Sequence, residues 1–189
     1  MSKAYSEMLP LETKVPKFKL EDVTTKKMFS FEDIRGEKGT LIFFICNHCP
    51  YVHHIMTDLI MITNDYRVQG IGFAAISSND YIEYPEDSPA KMIEFAYENN
   101  FEFPYLIDRT QDIAKQFHAA CTPDFYLFDQ QEKLVYRGQM DDSRPGNNIP
   151  TSGTDIRNAI DSILYNRSVN TEQKPSMGCN IKWKKNSVL

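Results

Sequence analysis

Several things are missing from this 189-residue chain, and each absence removes a class of function. No run approaches the roughly 20 apolar residues of a membrane-spanning helix. The stretch from Met1 to Leu11 has no basic segment leading into an apolar core, so no secretory signal is read there and a cytoplasmic setting is expected. Positive charge is not in excess: the net charge is −5, whereas nucleic-acid surfaces are basic, and no nucleic-acid or membrane partner is expected. There is no internal repeat and no low-complexity segment. Cysteine is scarce as well, with four residues and a single Cys-x-x-Cys. In a reducing compartment such a motif points to catalysis, redox sensing or metal binding before a structural bridge.

What is present is organised around Leu41 to Tyr51, where an apolar run stops at Cys46-Asn-His-Cys49. Leu41 to Ile45 is short, aromatic and β-branched, which suits a strand buried on both faces. From Pro50 to about Val68, Val52, Ile55, Met56, Leu59, Ile62 and Tyr66 recur at helical steps, and Pro50 fits a first turn. The reading is strand, cysteine pair, helix. Unpaired N–H groups at a helix start carry roughly half a positive charge, and a cysteine there can have its pKa lowered from about 8.5 to as little as roughly 3.5. Cys46 is the candidate nucleophile and Cys49, one turn on, the candidate resolving thiol. His48 between them would favour a thiolate when cationic, or would simply be a solvated first-turn residue.

Around this centre, Phe18 to Val23 and Lys27 to Phe31 read as a hairpin, and Gly70 to Ser77 as a buried strand. Asn79 to Pro89 is a polar loop whose Tyr81 and Tyr84 either roof a site or merely pack. Pro89 opens a helix to about Asn99; Tyr105 to Ile107 is a strand; Gln111 to Phe117 a short helix. Phe125 to Phe128 and Leu134 to Gly138 form a second hairpin, and Thr154 caps a helix. Strand–helix alternation followed by a hairpin predicts a mixed central sheet flanked by helices in one α/β domain over 1–189, with an N-terminal extension over 1–14 and an irregular tail over 168–189.

The order of these elements resembles the thioredoxin superfamily, in the peroxiredoxin-like branch that starts with an extra hairpin. Val15 to Phe31 is similar to its entry hairpin, Cys46-Asn-His-Cys49 to its redox motif, and Cys121-Thr-Pro123 to the loop holding its cis-proline. Asp141 to Gly146 and Lys174 to Lys184 are similar to stretches in bacterial thioredoxin-like proteins. The resemblance implies a thioredoxin-like fold, a cis Pro123 and a Thr122 backbone open to an extended substrate. It implies thiol–disulfide exchange without a cofactor, on protein or small-molecule thiols and disulfides, recycled by a cellular dithiol reductant.

Two departures qualify it. Thr40 stands where thioredoxin-type reductases keep a buried acid, and Ile45 where a tryptophan usually precedes the motif. The peroxidase pattern Pro-x-x-x-Thr-x-x-Cys, aligned on Cys49, finds Cys46 in place of the threonine and Ile42 in place of the proline. Arg137 and Arg144 are the arginines available to it. Cys121 and Cys179 are possible additional thiols, though Cys121 reads first as a small buried hydrophobe. Peroxide reduction is thus the alternative activity. Metal binding through Cys46, Cys49 and His48 or His53 falls short of the four ligands of a closed zinc site, so no metal is expected. A non-enzymatic adaptor is the remaining reading.

Overall fold

The computed structural model describes residues 2–185. Its central strand, β4 (Gly39–Phe44), is buried along its whole length, because alternate side chains serve two separate cores. Leu41 and Phe43 face the core that also receives helix α2 (Pro50–Arg67) through Val52, Ile55, Met56, Leu59 and Ile62. Ile42 and Phe44 face the opposite core, with Phe117 and Tyr126 edge-on to Phe44.

Strands β5 (Ile71–Ser77) and β6 (Tyr105–Ile107) continue from β4 in parallel, while β8 (Asp124–Asp129) and β9 (Leu134–Gly138) extend its other edge antiparallel. The hairpin of β2 (Lys19–Asp22) and β3 (Met28–Ser30) joins beyond β6. The sheet order is β3-β2-β6-β5-β4-β8-β9, mixed as expected. Helices α1 (Phe31–Ile34), α3 (Pro89–Glu98), α4 (Asp112–Gln116) and α5 (Thr154–Leu164) complete the layers. No helix among the described residues is long and apolar enough to cross a membrane.

Three local expectations are corrected. Cys46 is not in the helix: Asn47 and His48 form a turn, Cys49 is the N-cap, and Pro50 takes the first helical position. Helix α5 is capped by Gly153, whose left-handed φ of 67° puts Thr154 inside the helix. The tail expected to be irregular from residue 168 folds back, and within it β10 (Met177–Asn180) lies between β1 (Lys3–Tyr5), from the N-terminal extension, and β7 (Cys121–Thr122). Residues 186–189 of that tail lie outside the described residues.

Candidate active site

Parallel strands deliver their following loops to one end of a sheet, which is where open α/β sheets hold their sites. The cysteine turn after β4 and the Asn79 to Ser88 loop after β5 meet at that end. The loop before β8 brings a cis Thr122-Pro123 peptide to the same place. Thr122 touches both sulfurs: its Oγ1 is 3.3 Å from Cys46 Sγ and its carbonyl oxygen 3.2 Å from Cys49 Sγ. The expected residues Cys46, Cys49, His48, Thr122 and Pro123 are therefore neighbours.

The loop after β5 contributes a buried acid that sequence reasoning missed. Asp87 is 1% exposed; its Oδ1 accepts the Asn47 backbone N–H at 2.8 Å and its Oδ2 the Asn79 side-chain amide at 2.7 Å. Asp87 Oδ2 also lies 2.7 Å from His48 Nδ1. That approach is a charge contact off the N–H axis, since neither His48 ring nitrogen has an aligned hydrogen-bond partner among the described residues. Asp87 nonetheless raises the His48 pKa above the ordinary histidine value, against the effect of burial. Asn47 is itself held by the Tyr105 hydroxyl at 2.9 Å and the Glu86 carbonyl at 2.9 Å. Tyr84 stacks on His48 with ring centroids 5.9 Å apart and planes within 4°, so this tyrosine roofs the turn. Tyr81 instead meets Arg109 at 3.0 Å.

The sulfurs behave as a cluster. Cys179, carried by β10, stands opposite Thr122 in the β10–β7 register and is buried in the same core as Cys46 and Cys49. The neighbouring thiols of Cys179 and Cys46 draw the Cys49 pKa down against the effect of burial. Cys46 moves the other way, raised by its bond to Cys49, by burial and by the Asp87 charge. The Cys49 contact with the Thr122 carbonyl is one that an S–H donor makes.

Other candidates fall outside this cluster. Cys121 is fully buried, with its sulfur 3.8 Å from the Pro123 carbonyl oxygen, and burial drives its pKa up. The Arg137 guanidinium binds the Leu9 carbonyl and Gln173, and Arg144 binds the backbone of Asp141 and Ser143. His53 packs edge-on to Phe95. Ligand atoms of Cys46, His48 and Asp87 lie within 4.8 Å of one another. Tetrahedral zinc would hold a nitrogen and an oxygen ligand roughly 3.3 Å apart, whereas His48 and Asp87 are already closed on each other at 2.7 Å.

With this geometry in hand, the comparisons are decisive about kinship. The AhpC/TSA family model matches residues 11–137. The chain belongs to the AhpC/TSA family. An uncharacterized conserved protein from Geobacillus kaustophilus is 50% identical over 99% of both chains, with a TM-score of 0.97. A hypothetical protein from Sinorhizobium meliloti is 40% identical over 96% of this chain and 99% of its own, with a TM-score of 0.93. At 17% identity, the thioredoxin domain of a thiol-disulfide oxidoreductase from Bacteroides vulgatus shares the fold, with a TM-score of 0.61 over 71% of this chain and 92% of its own. No curated protein is significantly similar to the chain. Family and fold together make this a thioredoxin-fold, peroxiredoxin-like member with the general equipment of thiol redox chemistry.

Proposed function

We propose that the protein is a thiol–disulfide oxidoreductase whose reactive pair is Cys46 and Cys49. The observation that carries this reading is the convergence of both sulfurs on Thr122, one on its hydroxyl and one on its carbonyl, beside Pro123. As a substrate disulfide approaches Cys46, the Cys46 proton passes to His48, and the Cys46 sulfur attacks. One substrate sulfur leaves as a thiolate and the other stays in a mixed disulfide with Cys46. Cys49 then attacks Cys46, closing the intramolecular bond, and its proton leaves with the second substrate thiol. Asp87 and His48 take the place of the acid absent at Thr40, with the unpaired His48 Nε2 as the proton-accepting atom. A cytoplasmic dithiol reductant would return the pair to its reduced state.

Trapping tests the roles. With a disulfide-bonded peptide as substrate, Cys49→Ser accumulates a mixed disulfide through Cys46 and Cys46→Ser does not; equal trapping by both variants contradicts the assignment. A second reading, thiol-dependent peroxide reduction, is favoured by the place of Cys49, which stands where the peroxidase pattern puts its cysteine and whose pKa its neighbouring thiols draw down. Peroxide consumption that survives Cys46→Ser and is lost in Cys49→Ser would select it.

A further inference from the structure

The Thr122 backbone, expected to be open for an extended substrate, is already paired. Strand β10 lies antiparallel to β7 with Cys179 opposite Thr122 and Asn180 opposite Cys121. The approach is tight at Gly178, where an added Cβ would come within 1.9 Å of the Thr122 carbonyl oxygen, so only glycine fits. The chain on either side is pinned too. Ser6 N–H bonds to the Ser176 carbonyl at 3.0 Å, Ile181 N–H to the Ala120 carbonyl at 3.0 Å, and Lys182 N–H to Asn79 Oδ1 at 2.8 Å. The protein thus lays its own strand where a substrate strand would add to a sheet edge, and that strand presents a thiol.

We propose that Cys179 is a third redox thiol, which takes over Cys49 from Cys46 by forming a Cys49–Cys179 disulfide. The step rests on the Cys46–Cys49 pair of the preceding section. The Cys179 sulfur attacks Cys49 in the Cys46–Cys49 disulfide; the bond from Cys49 to Cys46 breaks as the bond to Cys179 forms. Cys46 leaves with the electron pair and takes the proton that Cys179 gave up. The number of disulfides is unchanged, so no further oxidant or reductant is consumed. Cys49 is the sulfur positioned for both partnerships: its Sγ lies 3.2 Å from the carbonyl oxygen of Thr122, the residue that Cys179 faces across the β10–β7 register, and all three cysteines are buried in one core. The product ties β10 to the start of α2 and returns Cys46 as a free thiol beside His48, ready for another substrate.

The test is disulfide mapping of the full chain, equilibrated in a glutathione redox buffer, acid-quenched, alkylated and analysed by peptide mass spectrometry. Wild type is expected to hold Cys49–Cys179 alongside Cys46–Cys49, with Cys46 alkylated in the former. Cys46→Ser keeps the Cys49–Cys179 link, and Cys179→Ser loses it completely while retaining Cys46–Cys49. The wild-type map decides without any variant having to fold. Wild type holding Cys46–Cys49 alone overturns the third-thiol role and leaves the proposed function standing. Absence of Cys46–Cys49 from both wild type and Cys179→Ser removes that function, and this inference with it.

Discussion

On the two sides of the Thr122-Pro123 peptide the protein buries the same kinds of group to opposite effect. On one side are Cys49, 0% exposed, and Asp87, 1% exposed; on the other Cys121 and Asp124, both 0% exposed. Cys49 stands at a helix N-cap in one core with Cys46 and Cys179, and those thiols draw its pKa down against burial. The Cys121 pKa rises by burial, with the nearby Asp124 adding to it. Asp87 has hydrogen bonds on both oxygens, whereas Asp124 takes the Tyr126 hydroxyl on one at 2.8 Å and has no partner on the other among the described residues. Burial has pushed the Asp124 pKa up to about 7. The contrast teaches that burial by itself raises the pKa of a thiol or a carboxylate, and that the groups placed beside a buried thiol can offset this.

Removing the charge from each acid in turn gives the largest expected effects. Asp87→Asn takes a repelling charge from Cys46 and the partner from His48, so both pKa values fall. Alkylation of Cys46 at neutral pH should speed up on the order of tenfold, the result of about one pKa unit. Asp124→Asn should leave that rate alone and change stability instead. An acid whose pKa is raised on folding contributes stability that is fully present below its unfolded value of 3.8 and lost as pH rises through about 7. Wild type should therefore lose on the order of a few kcal/mol between acidic and mildly alkaline pH from this group alone. Urea unfolding across that range should show a flatter profile in Asp124→Asn.

His48→Gln sharpens the same comparison more gently. The raised pKa of His48 means its contribution is complete below the ordinary histidine value and disappears as pH climbs through the folded value above it. Because the ring is partly exposed, screening should keep this below about 1 kcal/mol. The clearer signal is the exchange rate, whose rise across the neutral range should flatten in His48→Gln. The smallest effect belongs to Cys121→Ser, for which exchange rates should stay within about twofold, since Cys121 is fully buried with its sulfur toward the Pro123 carbonyl and only Cys46 and Cys49 reach Thr122 with their sulfurs among the described residues; a large loss would place Cys121 in the machinery.

Much of this arrangement is legible from local pattern. Leu41 to Ile45 announces a strand buried on two faces, the stripe from Val52 to Tyr66 a helix, and the cysteines mark their junction. Both hairpins follow from alternating residues around polar turns, and the cis peptide followed from resemblance. Asp87 was hidden because an acid in a polar loop looks solvated until the loop after β5 is laid against the turn after β4. Strand β10 was hidden for a different reason: Met-Gly-Cys-Asn has no period of its own, and it is a strand only because β1 and β7, distant in sequence, pair with it. The place of Cys46 outside α2 follows from Pro50, whose fixed φ and missing N–H start the helix after the second cysteine.

The central claim is that Cys46 and Cys49 pass between dithiol and disulfide, and a redox titration in glutathione buffers, read cysteine by cysteine through differential alkylation, tests it most directly. The account predicts a single two-electron transition in which Cys46 and Cys49 lose reactivity together in Cys179→Ser while Cys121 stays reduced throughout. A protein in which Cys46 and Cys49 remain alkylatable across the whole range, or are protected only as separate glutathione adducts, would contradict it.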